Sequence, residues 1–332
     1  MKSRILGGEL TVSSVGFGAM GFSEFYGKAD DSHSLEVLNA AVDMGITFFD
    51  TADFYGNGHN EALLGRFLAE LPTAQRQKLQ IATKCGIERV HGTGYERRIN
   101  SSPDYIKRCC EGSLKRLGVE CIDLFYLHRV NLETPIEESV SCLKELVQAG
   151  KIRHIGLCEV SATTLIKANN VHPITALQTE YSFWTRDIED NILPAALELG
   201  IGVVPYSPLG RGFLSGKYRS NDCFQDDDFR KMNPRFSSNN LSHNTGLLDI
   251  LLPLAEKYGC TLAQLSLAWL LAQDSGIVPI PGTKQLAYLQ ENVAAVDIQL
   301  EERDLNYLNE TGRNFSIQGA RYTDEGMKGI NA

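Results

Sequence analysis

Apolar and polar positions along this chain switch between two periods. Arg4 to Leu6 and Leu10 to Val12 flank a Gly7-Gly8 turn and predict a small amino-terminal hairpin, suited to covering one end of a barrel. The strand Val15 to Ala19 follows. Strand and helix patterns then alternate: helix Ser34 to Met44 stopped at Gly45, strand Ile46 to Asp50, helix Glu61 to Leu71 stopped by Pro72, and strand Leu79 to Lys84. An Asx side chain is expected to cap the helix that begins near Asn60. Pro103 opens a helix to Gly118, strand Ile122 to His128 comes next, and Pro135 opens a helix to Gly150. Strand Ile152 to Cys158, helix Ala162 to Ala168, strand Ile174 to Thr179, helix Asn191 to Leu199 and strand Gly202 to Tyr206 continue the series. After a long insert come helices Leu247 to Tyr258 and Leu262 to Gln273, strand Gly276 to Ile280, helix Gln285 to Val293 and a short helix near Glu301 to Glu310.

Eight strands, each followed by a helix, predict an α/β fold of the closed (β/α)8 TIM-barrel type, one domain spanning 1–332. Its additions are the amino-terminal hairpin, a long insert (213–245) between the seventh strand and its helix, and a polar carboxyl-terminal tail (311–332). An open doubly wound sheet is the structural alternative, but no GxGxxG follows the first strand. Asp226, Asp227 and Asp228 in the insert read as a solvated loop, with no flanking partners at metal-ligand spacing, so no metal is expected.

At 43% hydrophobic and 22% charged residues, the composition suits a large packed core. A net charge of -9 opposes attraction to nucleic acid or an anionic membrane, while leaving room for a local basic pocket. No apolar run reaches the length of a membrane span and no signal peptide is evident, so a cytoplasmic protein is expected. The eight cysteines show no CxxC and read as free, mostly buried thiols, with Cys158 nearest to the expected site.

The chemistry lies at strand ends. FFDTADFYGNG places Asp50 and Tyr55 where one strand runs out. In LQIATK, Lys84 is in phase with Gln80 and Ala82, and IDLFYLH delivers His128 in the same way. Inward side chains at the carboxyl ends of neighbouring barrel strands converge on one mouth, so Asp50, Tyr55, Lys84 and His128 are expected in contact. An ammonium beside a phenol favours phenolate and is expected to lower the tyrosine pKa. Asp50 would hold Lys84 charged, and His128 would orient a substrate oxygen. Taken singly, each residue has an ordinary role in a turn or on a solvated rim; the set argues for protonation of an oxygen that becomes alkoxide as hydride reaches carbon. A Schiff-base lysine at Lys84 is a rival, opposed by the adjacent Asp50.

At these residues the chain resembles the aldo-keto reductases, from the hairpin to about Val296, through FFDTADFYG, IATK, LFYLHR, QTEYSFW, YSPLGRGFL and PIPGTK. The resemblance implies that Asp50, Tyr55, Lys84 and His128 form the catalytic tetrad, with Tyr55 as general acid in carbonyl reduction by NADP(H), and with NAD(H) as the second choice. It further implies a cofactor cradle of Met20, Gly21, Asp50, Cys158, Glu159, Gln178 at the carboxamide, Tyr206 under the nicotinamide ring, and Ser207, Pro208, Leu209, Gly210, Arg211 and Lys217 along the pyrophosphate. Gly282, Thr283, Lys284, Tyr288, Glu291 and Asn292 would meet the adenosine and 2′-phosphate end. Cys158-Glu159 stands where the family often has Ser-Asn, and Tyr288 where it often has Arg or Gln. Glu159 and the LHRV stretch resemble the branch of pyridoxal-reductase-like and auxin-induced-type members. Phe22, Tyr26, Phe54 and Trp184 are candidates to line a substrate pocket, with loop packing as the other reading, and His91 and Arg129 are further candidates for the mouth. The expected partner is a small carbonyl compound; the sequence leaves the oligomeric state open. The rival from another class is a nucleotide-binding regulatory subunit resembling channel-associated β subunits, which tend to carry asparagine where this chain has His128.

Overall fold

The computed structural model describes residues 1–90, 96–225 and 228–332. Strands β1 (Ser3–Leu6) and β2 (Leu10–Ser13) pair antiparallel across the Gly7-Gly8 turn. The barrel begins with β3 (Phe17–Gly18), β4 (Phe48–Asp50) and β5 (Gln80–Cys85). A short antiparallel pair, β6 (Ile87–Arg89) and β7 (Arg97–Ile99), stands beyond the end of β5. Strands β8 (Ile122–Leu127), β9 (Ile152–Cys158), β10 (Ala176–Glu180) and β11 (Gly202–Tyr206) continue the parallel sheet, whose order is β11-β10-β9-β8-β5-β4-β3.

The eighth position holds residues 276–281, where a regular strand was expected. Val278 N and Ile280 N donate to Val203 O and Pro205 O at 2.8 and 3.1 Å, and Gly16 N and Gly18 N donate to Pro279 O and Pro281 O at 2.9 and 3.4 Å. The ring therefore closes. Pro279 and Pro281 have no N–H to return toward β3, which leaves a one-way ladder in place of the predicted strand. Contact at this seam is close: a Cβ on Gly282 would lie 2.4 Å from Gly18 O.

Alternation sorts each strand between two cores. Phe48, Ala82, Leu124, Tyr126 and Val204 point into the barrel, where Leu6, Leu10 and Val12 of the hairpin plug the amino-terminal end. Residues of opposite phase, among them Phe49, Ile81 and Phe125, meet the surrounding helices. The helices lie close to their predicted spans, for instance His59–Glu70, Pro103–Leu117 and Ile136–Gln148. The expected Asx cap at His59–Glu70 is absent; Gly58 holds that position in a left-handed conformation. Asn60 is buried instead, accepting from Thr51 Oγ1 at 2.6 Å and donating to Ala19 O and Ser23 Oγ at 2.9 and 2.8 Å.

The insert and the tail both return over the carboxyl ends of the strands. The insert contains the turns Phe229–Met232 and Pro234–Phe236 and the helix Ser238–Asn244. Phe229 N donates to Phe25 O at 3.1 Å, and Lys284 Nζ fastens the same loop through Tyr26 O and Lys28 O at 2.6 and 2.9 Å. Asp228, expected in a solvated loop, is buried and accepts from Arg230 Nε and Nη2 at 2.9 and 2.6 Å; Asp226 and Asp227 lie outside the described residues. Beyond the helix Glu302–Asn314 the tail is packed: Arg321 Nη2 donates to Glu159 Oε2 at 3.0 Å, Asn331 N donates to Glu159 O, and Ala332 O accepts from Ser161 N. Among the described residues, no helix is long and apolar enough to cross a membrane.

Candidate active site

Asp50, Lys84 and His128 share the inward phase of Phe48, Ala82 and Tyr126, so three neighbouring strand ends aim them at one point. Lys84 is fully buried. Its Nζ donates to Asp50 Oδ1 at 2.5 Å, Thr51 O at 2.7 Å and Tyr55 OH at 3.3 Å. Three simultaneous donations require an ammonium. Gln178, at the middle of β10, donates Nε2 to the other Asp50 oxygen at 2.7 Å. Tyr55 comes from the turn Tyr55–Gly58, where positive φ at Gly56 and Asn57 swings the chain back toward the mouth. The Tyr55 and His128 rings meet edge to face with centroids 5.9 Å apart.

Burial sets the charge states. It raises Tyr55 to about 12, outweighing the lowering by Lys84, so the expected net depression of the phenol is corrected. Burial opposes the charge on Lys84, but Asp50 and Tyr55 overcome it and hold the lysine above its ordinary value. Burial also pushes Asp50 upward, against the pull of Lys84 and Gln178. His128 falls well below the usual histidine range through burial, assisted by Lys84, Arg129 and Arg97, and is neutral at pH 7. Its Nδ1 is buried with no partner among the described residues. Burial lifts the Cys158 thiol to about 12, which leaves it unreactive.

The residues marked for a nicotinamide cofactor separate into two groups. Tyr206 is half-buried at the end of β11, and its hydroxyl lies 2.9 Å from that of Tyr322 in the tail. After it the chain turns through Ser207, Pro208, Leu209 and Gly210, with positive φ at Ser207, Gly210, Arg211 and Gly212; such turns expose backbone N–H groups in a concave array. Lys217 reaches across to Tyr288, its ammonium 3.7 Å from the ring centroid. Thr283 accepts from Gln285 N at 3.0 Å where the helix Leu286–Ala294, carrying Tyr288, Glu291 and Asn292, begins. Met20 packs on the cluster containing Ala52, Phe54 and Tyr55, beside Gly21. The turn after Tyr206 and the start of the helix Leu286–Ala294 are linked across the rim by the contact of Lys217 with Tyr288.

Two side chains turn away from that rim. Arg211, expected along a pyrophosphate, is buried, donating to Glu180 Oε2 at 2.9 Å and to Arg321 O at 3.2 Å. Glu159 is buried too, its carboxylate accepting from Glu180 N, Thr179 Oγ1 and Arg321, and the two arginines Arg321 and Arg129 overcome burial to hold it below the usual carboxylate range.

The candidate pocket residues also divide. Phe22 stacks on Phe17 at 5.4 Å and Trp184 on Phe213 at 4.2 Å, each about 2% exposed, which puts both in the core and corrects the lining expectation. Tyr26 and Phe54 remain at the rim, under Arg230 and Arg89 respectively. His91 lies outside the described residues. Arg129 does reach the mouth, and Arg97, Arg321 and Tyr322 join it there; nothing in the local pattern around those three announced it.

Comparison with known proteins agrees with this geometry. The model described as "Aldo/keto reductase family" matches residues 14–313. "Probable aldo-keto reductase 1" of Glycine max is 46% identical over 313 residues, covering 94% of this chain and 88% of that protein. "Aldo-keto reductase yakc", named with NADP(+), of Schizosaccharomyces pombe is 44% identical over 318 residues, covering 95% and 93%. Among solved structures, the glycerol dehydrogenase AKR11B4 from Gluconobacter oxydans superposes with a TM-score of 0.86 at 30% identity, covering 97% of this chain and 98% of that one. The holo form of AKR11C1 from Bacillus halodurans gives 0.78 at 26% identity, covering 98% and 99%.

Proposed function

This chain belongs to the aldo/keto reductase family, oxidoreductases of carbonyl groups, and we propose that it reduces an aldehyde or ketone with NADPH, Tyr55 acting as the general acid. One observation carries the reading: Tyr55 OH lies 3.3 Å from an ammonium that Asp50 grips at 2.5 Å. With burial holding Tyr55 near 12, the phenol keeps its proton at pH 7 and has it to give. As the proton leaves, Lys84 stabilises the phenolate that forms. Asp50, gripped from its other side by Gln178, keeps that charge in place. His128, neutral and with Nδ1 unpartnered, orients the substrate oxygen by a hydrogen bond. NADPH, when bound, supplies the hydride to carbonyl carbon.

The positive-φ turn Ser207–Gly212 and the cation Lys217 support a phosphorylated dinucleotide, with Lys217 favouring the 2′-phosphate form, while the Lys284 ammonium expected there is held by Tyr26 O and Lys28 O. The name of the Schizosaccharomyces pombe relative carries NADP(+), in the same direction. The histidine at position 128 favours turnover over a purely regulatory role. Oxidation of NADPH and NADH by the purified protein, followed against a panel of aldehydes and ketones, tests the reading; tight nucleotide binding with no carbonyl reduced would reverse it.

A further inference from the structure

The chain carries a net charge of -9, yet Arg97, Arg129 and Arg321 gather beside Tyr206 and Tyr322 at the mouth of the barrel. Lys84 is neutralised by Asp50, and Arg321 by Glu159. Arg129 is 6% exposed and forms no ion pair with any described residue. Its Nη1 donates to His128 O at 2.7 Å, which fixes the guanidinium beside the residue expected to orient the carbonyl. Its Nε is buried and has no partner among the described residues. Arg97, on β7, is a charge neighbour of Arg129; among the described residues its Nη2 donates only to the carbonyls of Glu325 and Gly326 at 3.3 and 3.2 Å. The carboxylate of Glu325 is taken by Lys328 at 2.6 Å. Glu159, the acidic neighbour of Arg129, already accepts from Arg321, Glu180 N and Thr179.

An arginine this deeply buried is costly without a counter-ion, and an unsatisfied Nε adds a desolvation cost. The planar guanidinium edge that contains Nε is matched in shape to a carboxylate. We propose that Arg129, assisted by Arg97, is a substrate anion subsite beside His128, and that the substrate is a carbonyl compound carrying a carboxylate. This rests on the carbonyl-reductase reading above and names the substrate class of that same site. The two arginines act on binding: they seat the carboxylate so that the carbonyl falls between Tyr55 and His128.

The test compares 4-formylbenzoate with its methyl ester, both with NADPH. The wild-type protein prefers the carboxylate in kcat/KM by roughly 10- to 100-fold, the range of a charge-assisted hydrogen-bonded pair. Arg129→Gln brings that ratio close to unity, mainly through KM, and Arg129→Lys restores part of it. Arg97→Gln, at a part-exposed position, lowers the ratio by a smaller factor and carries the test if Arg129→Gln does not fold. Reduction of the ester without preference for the carboxylate overturns the subsite alone, as does a ratio unmoved in Arg97→Gln and in a folded Arg129→Gln. Failure to reduce either compound or any neutral aldehyde overturns the reductase reading, and the subsite with it.

Discussion

Lys84 and Asp50 form an ion pair of 2.5 Å in which neither side chain has more than 3% of its surface exposed. Removing one partner strands the other charge away from water. Asp50→Ala is therefore expected to destabilise the protein by about 3–5 kcal/mol, as broken buried pairs do. Urea unfolding measures this, with Asp50→Asn as the milder companion because its amide oxygen can still accept from Lys84.

The tail is held by the same physics. Arg321→Ala leaves Glu159 buried without its main cation and removes the side-chain bond that ties the tail to that residue. The expected result is faster proteolytic cleavage within 315–332 while the barrel fragment persists, read by limited digestion and mass spectrometry. An unchanged cleavage pattern would mean that packing alone secures the tail.

Two buried groups give pH effects of opposite sign. His128 has a depressed pKa in the folded protein, so its contribution to stability is present above the unfolded value near ~6.5 and is lost as pH falls below it. Asp53 is raised to about 7, by burial first and Glu61 second, so its contribution is full below the unfolded carboxylate value and is lost as pH rises toward 7. Wild-type stability thus shows partial cancellation between roughly pH 4 and 6.5. His128→Asn should gain on wild type as pH drops from 7 to 5, and Asp53→Asn should gain as pH rises over the same interval. Thermal or urea unfolding of both variants at several pH values checks each sign.

Tyr55 at about 12 keeps its proton through the alkaline range where a free tyrosine would lose it. For reduction, kcat/KM is expected to show no loss attributable to a group titrating near ~10. A descending limb centred there, absent in Tyr55→Phe, would contradict the burial-dominated charge state.

Much of the site was readable because strand alternation is strict. Ala82 and Lys84, or Tyr126 and His128, must share a face once a strand exists, and strand ends in a barrel must converge. Other features depend on competition that local sequence does not express. Lys84 does lower the Tyr55 pKa, but burial by the surrounding loops acts more strongly. Arg211 follows the motif in position while its guanidinium is drawn to Glu180, a residue on the neighbouring strand. Trp184 belongs to the core because the insert delivers Phe213 against it. The strand at 276–280 is regular in pattern, yet its prolines remove the donors that a ladder needs. Arg321 and Tyr322 reach the mouth through a tail whose return path leaves no periodic trace.

Tyr55 is proposed to give the proton. The most direct measurement is single-turnover oxidation of NADPH by wild type and Tyr55→Phe with a carbonyl substrate, alongside nucleotide binding followed by fluorescence. Retained binding and a rate lower by roughly 10²- to 10⁴-fold, the usual contribution of a positioned general acid, are expected. Retained binding with a near-wild-type rate would contradict it.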